Sequence, residues 1–252
     1  MCRHLAYLGP PVPLSALLFD PPHSLSHQSW APRDMRGGGT INADGFGVGW
    51  YPADGGAPVR YRRDCPMWTD TALPGLAAST AAAAFLAAAR SATVGMPVVE
   101  TASAPFTGGG WLFSHNGAIV GWPSSVAALA ARLPVVDLLT LDAPTDAAFL
   151  FALVRRKLRD GDDAATALAG VVADVHAAAP GSRLNLLLAD GRQVAATAWG
   201  HALSVRHNGG AVVVASEPLD DDPAWRPVPE HSLVVATTET VDVRPLRTVG
   251  VS

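Results

Sequence analysis

Residues 147 to 178 hold two helical segments almost back to back, and on either side turns cut the text into short strand-like runs. That layout restricts the fold more than any other feature of the chain. In Ala147 to Arg159 the apolar residues Phe149, Leu150, Leu153, Val154 and Leu158 recur at helical spacing, with Thr145 or Asp146 where an N-cap belongs. Ala164 to Ala178 follows, with Asp162-Asp163 ahead of it and Pro180-Gly181 behind. From Arg183 onward six runs read as strands: Leu184 to Ala189, Val194 to Trp199, Leu203 to His207, Ala211 to Ser216, Ser232 to Thr237 and Val241 to Arg244. Turns, not helices, join them, so the sheets are antiparallel and the fold class is α+β, with helices layered on sheets. A chain of 252 residues fits one large domain, 2–252 once Met1 is trimmed, and shows no internal repeat.

The N-terminal half has the same texture. Cys2 to Leu8 predicts a short strand ended by Gly9-Pro10-Pro11, and Leu14 to Phe19 is the segment with helical potential before Gly39. A turn at Asn42 to Gly45 leads into a strand with three glycines, which mark close approach by a ligand or another segment. No helix follows the glycines, so they are not a dinucleotide fingerprint. Val59 to Arg63 supplies a pairing strand, Gly108 to Gly110 a turn, Trp111 to Gly117 another strand, and Ser125 to Leu133 an alanine-rich helix. Ala81 to Ala89 is helical on propensity alone.

Composition excludes several functions. Charged residues make up 16% of the chain and the formal charge is −4, with no basic run beyond Arg155-Arg156-Lys157, which argues against nucleic acid as a partner. Hydrophobic residues reach 49%, yet no run of about 18 lacks a polar break, so no membrane span is expected. The N-terminus lacks the pattern of a secretory signal, and two cysteines in a chain this size indicate free thiols in a reducing, cytoplasmic compartment. Cys65 reads as a packing residue. His23 and His27 stand four apart, but Pro21-Pro22 precede them and no Glu or Cys completes a set, so a loop pair is expected and no metal or other cofactor is invoked.

Three places carry chemistry. If Met1 is trimmed, Cys2 offers a thiol and a free α-amine on one residue. An α-amine titrates at about 8 and a thiol at about 8.5, so the amine can take the thiol proton, directly or through a water. The plain alternative is an ordinary first strand residue. Arg90 follows an apolar run, a costly place for a cation unless it meets an anion, either a structural carboxylate or a ligand. Asn116-Gly117 is a hairpin signal, and equally an amide beside a glycine N–H, both able to face one developing negative charge.

Cys2, Asn42-Ala43-Asp44-Gly45-Phe46-Gly47, Arg90-Ser91-Ala92-Thr93-Val94-Gly95, Ser114-His115-Asn116-Gly117 and Thr145-Asp146 occur in an order that resembles the class II glutamine amidotransferases, members of the N-terminal-nucleophile hydrolases. The resemblance implies a four-layer αββα sandwich, and with it a strand from about Phe85 to Thr93 against its alanine propensity. It implies Cys2 as nucleophile, Asn116 and Gly117 as oxyanion hole, and Arg90, Thr93 and Asp146 as substrate-binding residues, with Arg90 on the substrate α-carboxylate and Asp146 on its α-ammonium. Arg183-Leu184-Asn185, Ala215-Ser216-Glu217-Pro218 and Asp220-Asp221-Asp222-Pro223 with Trp225 look like the ergothioneine-pathway branch of that family. That branch removes the γ-glutamyl group of γ-glutamyl-hercynylcysteine sulfoxide. Glutamine-using members commonly carry an aromatic residue and a histidine where Ser91 and Val94 stand, which leaves room here for a bulkier leaving group. A small-molecule γ-glutamyl substrate is the partner implied. The rivals are a glutaminase subunit supplying ammonia to a partner synthase, and a non-catalytic scaffold with an idle Cys2. A trimethylammonium on the substrate would suit an aromatic cage, for which Trp30, Trp50, Trp68 and Trp111 are candidates beside their default role in packing.

Overall fold

In chain order the strands are β1 (Arg3–Pro13), β2 (Phe46–Trp50), β3 (Val59–Arg63), β4 (Ala81–Ala89), β5 (Phe106–Gly108), β6 (Trp111–Ala118), β7 (Arg183–Ala189), β8 (Val194–Ala198), β9 (Ser204–Asn208), β10 (Ala211–Ala215), β11 (Trp225–Pro227), β12 (Ser232–Ala236) and β13 (Val241–Pro245). The helices are α1 (Ser15–Leu18), α2 (Leu25–Gln28), α3 (Leu73–Ser79), α4 (Ala127–Ala130), α5 (Val135–Leu139), α6 (Asp146–Arg159) and α7 (Ala164–Ala178). The computed structural model describes residues 2–36 and 41–246, so Met1, whose removal the reading of Cys2 requires, lies outside the described residues.

Two antiparallel sheets result, one ordered β11-β9-β10-β1-β4-β2-β3 and the other β13-β12-β8-β7-β6-β5. Along β1 the side chains alternate, as a pleated strand requires. Leu5 and Tyr7 join Leu14, Leu18, Leu25 and Leu73 in a core under α1 to α3, whereas Ala6 and Leu8 join Leu112, Leu187, Val212 and Val234 between the sheets. A third core packs Phe149, Leu150, Leu168, Val171 and Val175 of α6 and α7 on Phe113, Leu184, Leu186 and Leu188. The layers are therefore α, β, β, α, as the family resemblance implies. Among the described residues no helix is long and apolar enough to cross a membrane.

The segment of alanines is a strand. β4 lies between β1 and β2, and a strand covered on both faces reads as a continuous apolar run whatever its helix propensity. Its bounds differ from the expected 85 to 93, because the chain leaves the sheet at Arg90, whose backbone N–H and C=O are taken by Gly45 and Asp44. β1 does not stop at Gly9-Pro10-Pro11 either. It runs to Pro13 with a register shift between Leu8 and Val12, beyond the last pair with β10, where the missing proline N–H groups cost no ladder bond. Ser125 to Leu133 forms no continuous helix: a 3-10 turn at Ser124–Val126 gives way to one α-turn at Ala127–Ala130. The two long helices and all six C-terminal strands fall within a residue of their expected places. β5 and β11, three residues each, were not expected.

The glycines of β2 do admit another segment. A Cβ at Gly47 would stand 2.4 Å from the Ala104 carbonyl oxygen, and one at Gly49 2.8 Å from Leu112 of the facing sheet.

Candidate active site

Cys2 stands one residue ahead of β1, on the alternation that sends His4, Ala6 and Leu8 between the sheets. It is half-buried, with Sγ 3.8 Å from the Ser91 carbonyl oxygen. Both Cys2 and Cys65 are free thiols, and Cys65 packs at the edge of the core under α1 to α3.

Cys2, Arg90, Thr93, Gly117 and Asp146 line one cleft, with Ser91, Met96, His115 and Thr145. Asn116 lies beside it within β6. Asn-Gly makes no turn here: β6 continues to Ala118, with Asn116 opposite Asn185 and Gly117 opposite Leu184 of β7. Leu112 and Ser114 point between the sheets, where Ser114 Oγ meets His4 Nδ1 at 3.2 Å, so Asn116 shares that face with the strand that carries Cys2. Its side chain is fully buried, and neither Oδ1 nor Nδ2 has a hydrogen-bond partner among the described residues. An amide left unpaired in such surroundings costs about 1–3 kcal/mol. Gly117 is required by packing, since a Cβ there would fall 1.9 Å from the Arg183 carbonyl oxygen.

Arg90 is 8% exposed and donates from Nη1 to the Pro97 carbonyl at 3.0 Å. Among the described residues no carboxylate lies within ion-pair distance of it, so the structural ion pair left open by the sequence is not formed. Asp146 begins α6. Thr145 is the N-cap, its Oγ1 accepting from Ala148 N–H at 3.2 Å. The Asp146 carboxylate accepts from Ala147 N–H at 2.8 Å and Ile119 N–H at 3.1 Å, at the positive end of the helix dipole. Asp44, from the Asn42–Gly47 motif, accepts from Ala92 N–H at 2.8 Å and so shapes the loop that presents Arg90 and Thr93.

Behind Cys2 lies a buried network centred on Glu217, from the Ala215–Pro218 stretch. Arg3, facing away from the sheet interface, is 1% exposed and pairs through Nη2 with Glu217 Oε1 at 3.2 Å. His23 Nε2 meets Glu217 Oε2 at 2.5 Å. The same carboxylate accepts the N–H groups of Arg33 and Asp34, and Arg3 donates to the Asp34 carbonyl at 2.8 Å. Burial alone would raise the Glu217 carboxyl; His23, these N–H groups and Arg3 hold it below the usual value. Loop 33–35 is thereby clamped to β1 next to Cys2. His4 and His201 are also buried, and desolvation followed by neighbouring cationic groups brings each to about 3, so both are neutral. Arg3 carries a sequence signal, an arginine inside an apolar strand, and His23 its spacing from His27, which points to a loop pair; His4 and His201 carry none.

Trp30, Trp50, Trp68 and Trp111 do not line the Cys2 cleft. Trp30 lies against the His27 ring at 4.5 Å, Trp50 packs under α1 to α3, Trp68 is exposed, and Trp111 borders a cleft at the far end of the sandwich.

The family model of class II glutamine amidotransferases matches residues 13–208, a span holding Arg90, Thr93, Asn116, Gly117 and Asp146. The chain belongs to that family. It is 41% identical to the γ-glutamyl-hercynylcysteine sulfoxide hydrolase of Mycolicibacterium smegmatis over 98% of this chain and 100% of that one. It is 42% identical to the protein of the same name from Mycobacterium tuberculosis, over 98% and 97%. Among solved structures, a glutamine aminotransferase class-II domain protein from Silicibacter pomeroyi shares the fold with a TM-score of 0.71 at 23% identity, over 98% of this chain and all of that one.

Proposed function

We propose that this chain hydrolyses the γ-glutamyl amide of γ-glutamyl-hercynylcysteine sulfoxide, releasing glutamate in ergothioneine biosynthesis through a thioester on Cys2. The observation that carries the chemistry is one cleft shared by Cys2, Asp146 and an Arg90 without a carboxylate partner among the described residues. The choice of conjugate is supported by relatives of that name matching nearly the whole chain. The chain acts as one domain, 2–252, in the cytoplasm, with Met1 removed.

A γ-glutamyl group carries a carboxylate and an ammonium on one carbon. Arg90 takes the carboxylate with its planar fork, Asp146 takes the ammonium, and Thr93 lines the same wall. The Cys2 α-amine accepts the thiol proton, and the thiolate attacks the γ-carbonyl. The unpaired Asn116 Nδ2 and the Gly117 N–H hold the oxyanion, giving the buried amide the partner it lacks among the described residues. The protonated amine then delivers its proton to the leaving nitrogen, and water hydrolyses the thioester.

The test incubates the purified protein with the conjugate, with glutamine and with a simple γ-glutamyl amide, beside a Cys2→Ala control, and follows glutamate by mass spectrometry. Cys2-dependent release, fastest from the conjugate, is expected. Preferential glutamine hydrolysis points instead to an ammonia-supplying subunit, and no release from any of the three contradicts the reading.

A further inference from the structure

The wall of the Cys2 cleft is shared with a second cleft. Arg183 opens β7, and its carbonyl accepts from His115 Nε2 at 3.0 Å and backs Gly117. Its side chain lines a depression with His176, Trp199, Glu230 and His231. The sheet order fixes where this lies. β4 and β1 stack over β6 and β7. Arg90, just after β4, and Asp146 beside β6 therefore lie to one side of Cys2. Arg183 on β7, Trp199 after β8 and His231 before β12 lie to the other, at the same end of the strands.

The second cleft has the make-up of a zwitterion site. Arg183 Nε and His176 Nδ1 are buried without a hydrogen-bond partner among the described residues. Among those residues, too, no carboxylate lies within ion-pair distance of Arg183. The His231 side chain is 60% exposed, yet its ring rests 4.2 Å from the Trp199 ring, which His176 meets edge-on at 5.1 Å. His231 is the one non-glycine residue with positive φ among those described, at 57°, and its carbonyl is fixed by Leu246 N–H at 2.7 Å. A bulky residue held there by its surroundings indicates a constrained position, and the imidazole is a rigid platform backed by an indole. Glu230 adds a half-exposed carboxylate, held by Gly200 N–H at 2.5 Å and by Arg36 at 3.1 Å, the latter from the segment that the Arg3–Glu217 pair clamps beside Cys2.

We propose that this cleft binds the leaving group of the conjugate, a ring bearing a carboxylate and a quaternary ammonium: Arg183 takes the carboxylate, the ring stacks on His231, and Glu230 faces the cation. The proposal rests on the hydrolase reading for the identity of the ligand. It explains how a substrate larger than glutamine is accommodated without an aromatic cage in the Cys2 cleft itself.

The probe is trimethylhistidine betaine alone, titrated calorimetrically into the full-length protein and into His231→Asn, Arg183→Met and Glu230→Gln variants. Asparagine tolerates the left-handed backbone, so ring loss is separated from strain. Saturable binding is expected, weakened roughly tenfold in the His231 and Arg183 variants and less in the Glu230 variant. The ratio of kcat/KM for the conjugate over that for γ-glutamyl methylamide should fall about tenfold in the same two variants. Absence of saturable betaine binding, or equal binding by all four proteins, overturns the proposal. Hydrolysis of γ-glutamyl methylamide reports separately on the hydrolase reading: if it fails while betaine binds with the expected variant pattern, that reading falls and the cleft stands.

Discussion

The two ends of the sandwich differ in a way that cavity size conceals. At the end where β4 and β7 meet their turns, Tyr51, Trp111, Asp190 and several glycines enclose about 620 Å³, whereas the cleft at Cys2 encloses about 30 Å³. The larger space has few groups able to do chemistry: Tyr51 is tied to the Ala189 and Gly110 carbonyls, and Asp190 caps its own turn. The smaller one is surrounded by buried polar groups, among them Asn116 and Arg90, which have no side-chain partner among the described residues, and is backed by the Arg3–Glu217 pair. Costly polar burial, more than volume, sets the Cys2 end apart.

The sharpest way to break this comparison is at Cys2. Cys2→Ala should lower glutamate release at least about ten-thousandfold with the fold intact, as single losses from a nucleophilic apparatus do; circular dichroism beside the assay separates the two. Next comes the clamp. Glu217→Ala leaves Arg3 buried without its carboxylate and should cost about 3–5 kcal/mol in urea unfolding, against about 1 kcal/mol or less for Asp190→Ala at the other end.

Acid separates the ends as well. His4 and His201 are held at about 3 in the fold, against about 6.5 in the unfolded chain. As the pH falls from 6.5 toward 3, the unfolded state takes up protons that the fold refuses, so stability is full above that window and lost on acidification. The slope should approach about 2.7 kcal/mol per pH unit from the two histidines, and His4→Gln should halve it in unfolding curves measured between pH 6 and 4.

Arg90→Met tests the substrate end of the cleft and should raise KM about 10- to 100-fold with a smaller change in kcat. The smallest effect is expected at the far end. Tyr51→Phe should lose about 1 kcal/mol of stability and leave kcat/KM untouched.

Much of the fold was legible because its signals are local. The α6 and α7 patterns, the Thr145 cap and the six C-terminal strands each reside in a few consecutive residues. β4 needed the family resemblance, since nine residues of alanine, phenylalanine and leucine say nothing about being covered on both faces. At the site, Cys2, Arg90, Asn116, Gly117 and Asp146 could be named from motifs, though not the fact that Asn116 is sealed from solvent without a partner among the described residues. The Arg3–Glu217–His23 network joins residues about two hundred apart in the chain; no spacing rule reaches that far. The tryptophans misled for a related reason, as residue type alone does not say which surface a ring covers.

The central claim is that Cys2, freed of Met1, carries the γ-glutamyl group. Protein quenched in acid during turnover and digested should yield an N-terminal peptide that begins at Cys2 and bears one γ-glutamyl unit as a thioester, absent without substrate. A turnover-competent protein whose N-terminal peptide still begins with Met1, or whose γ-glutamyl unit is found on any other residue, would contradict the account.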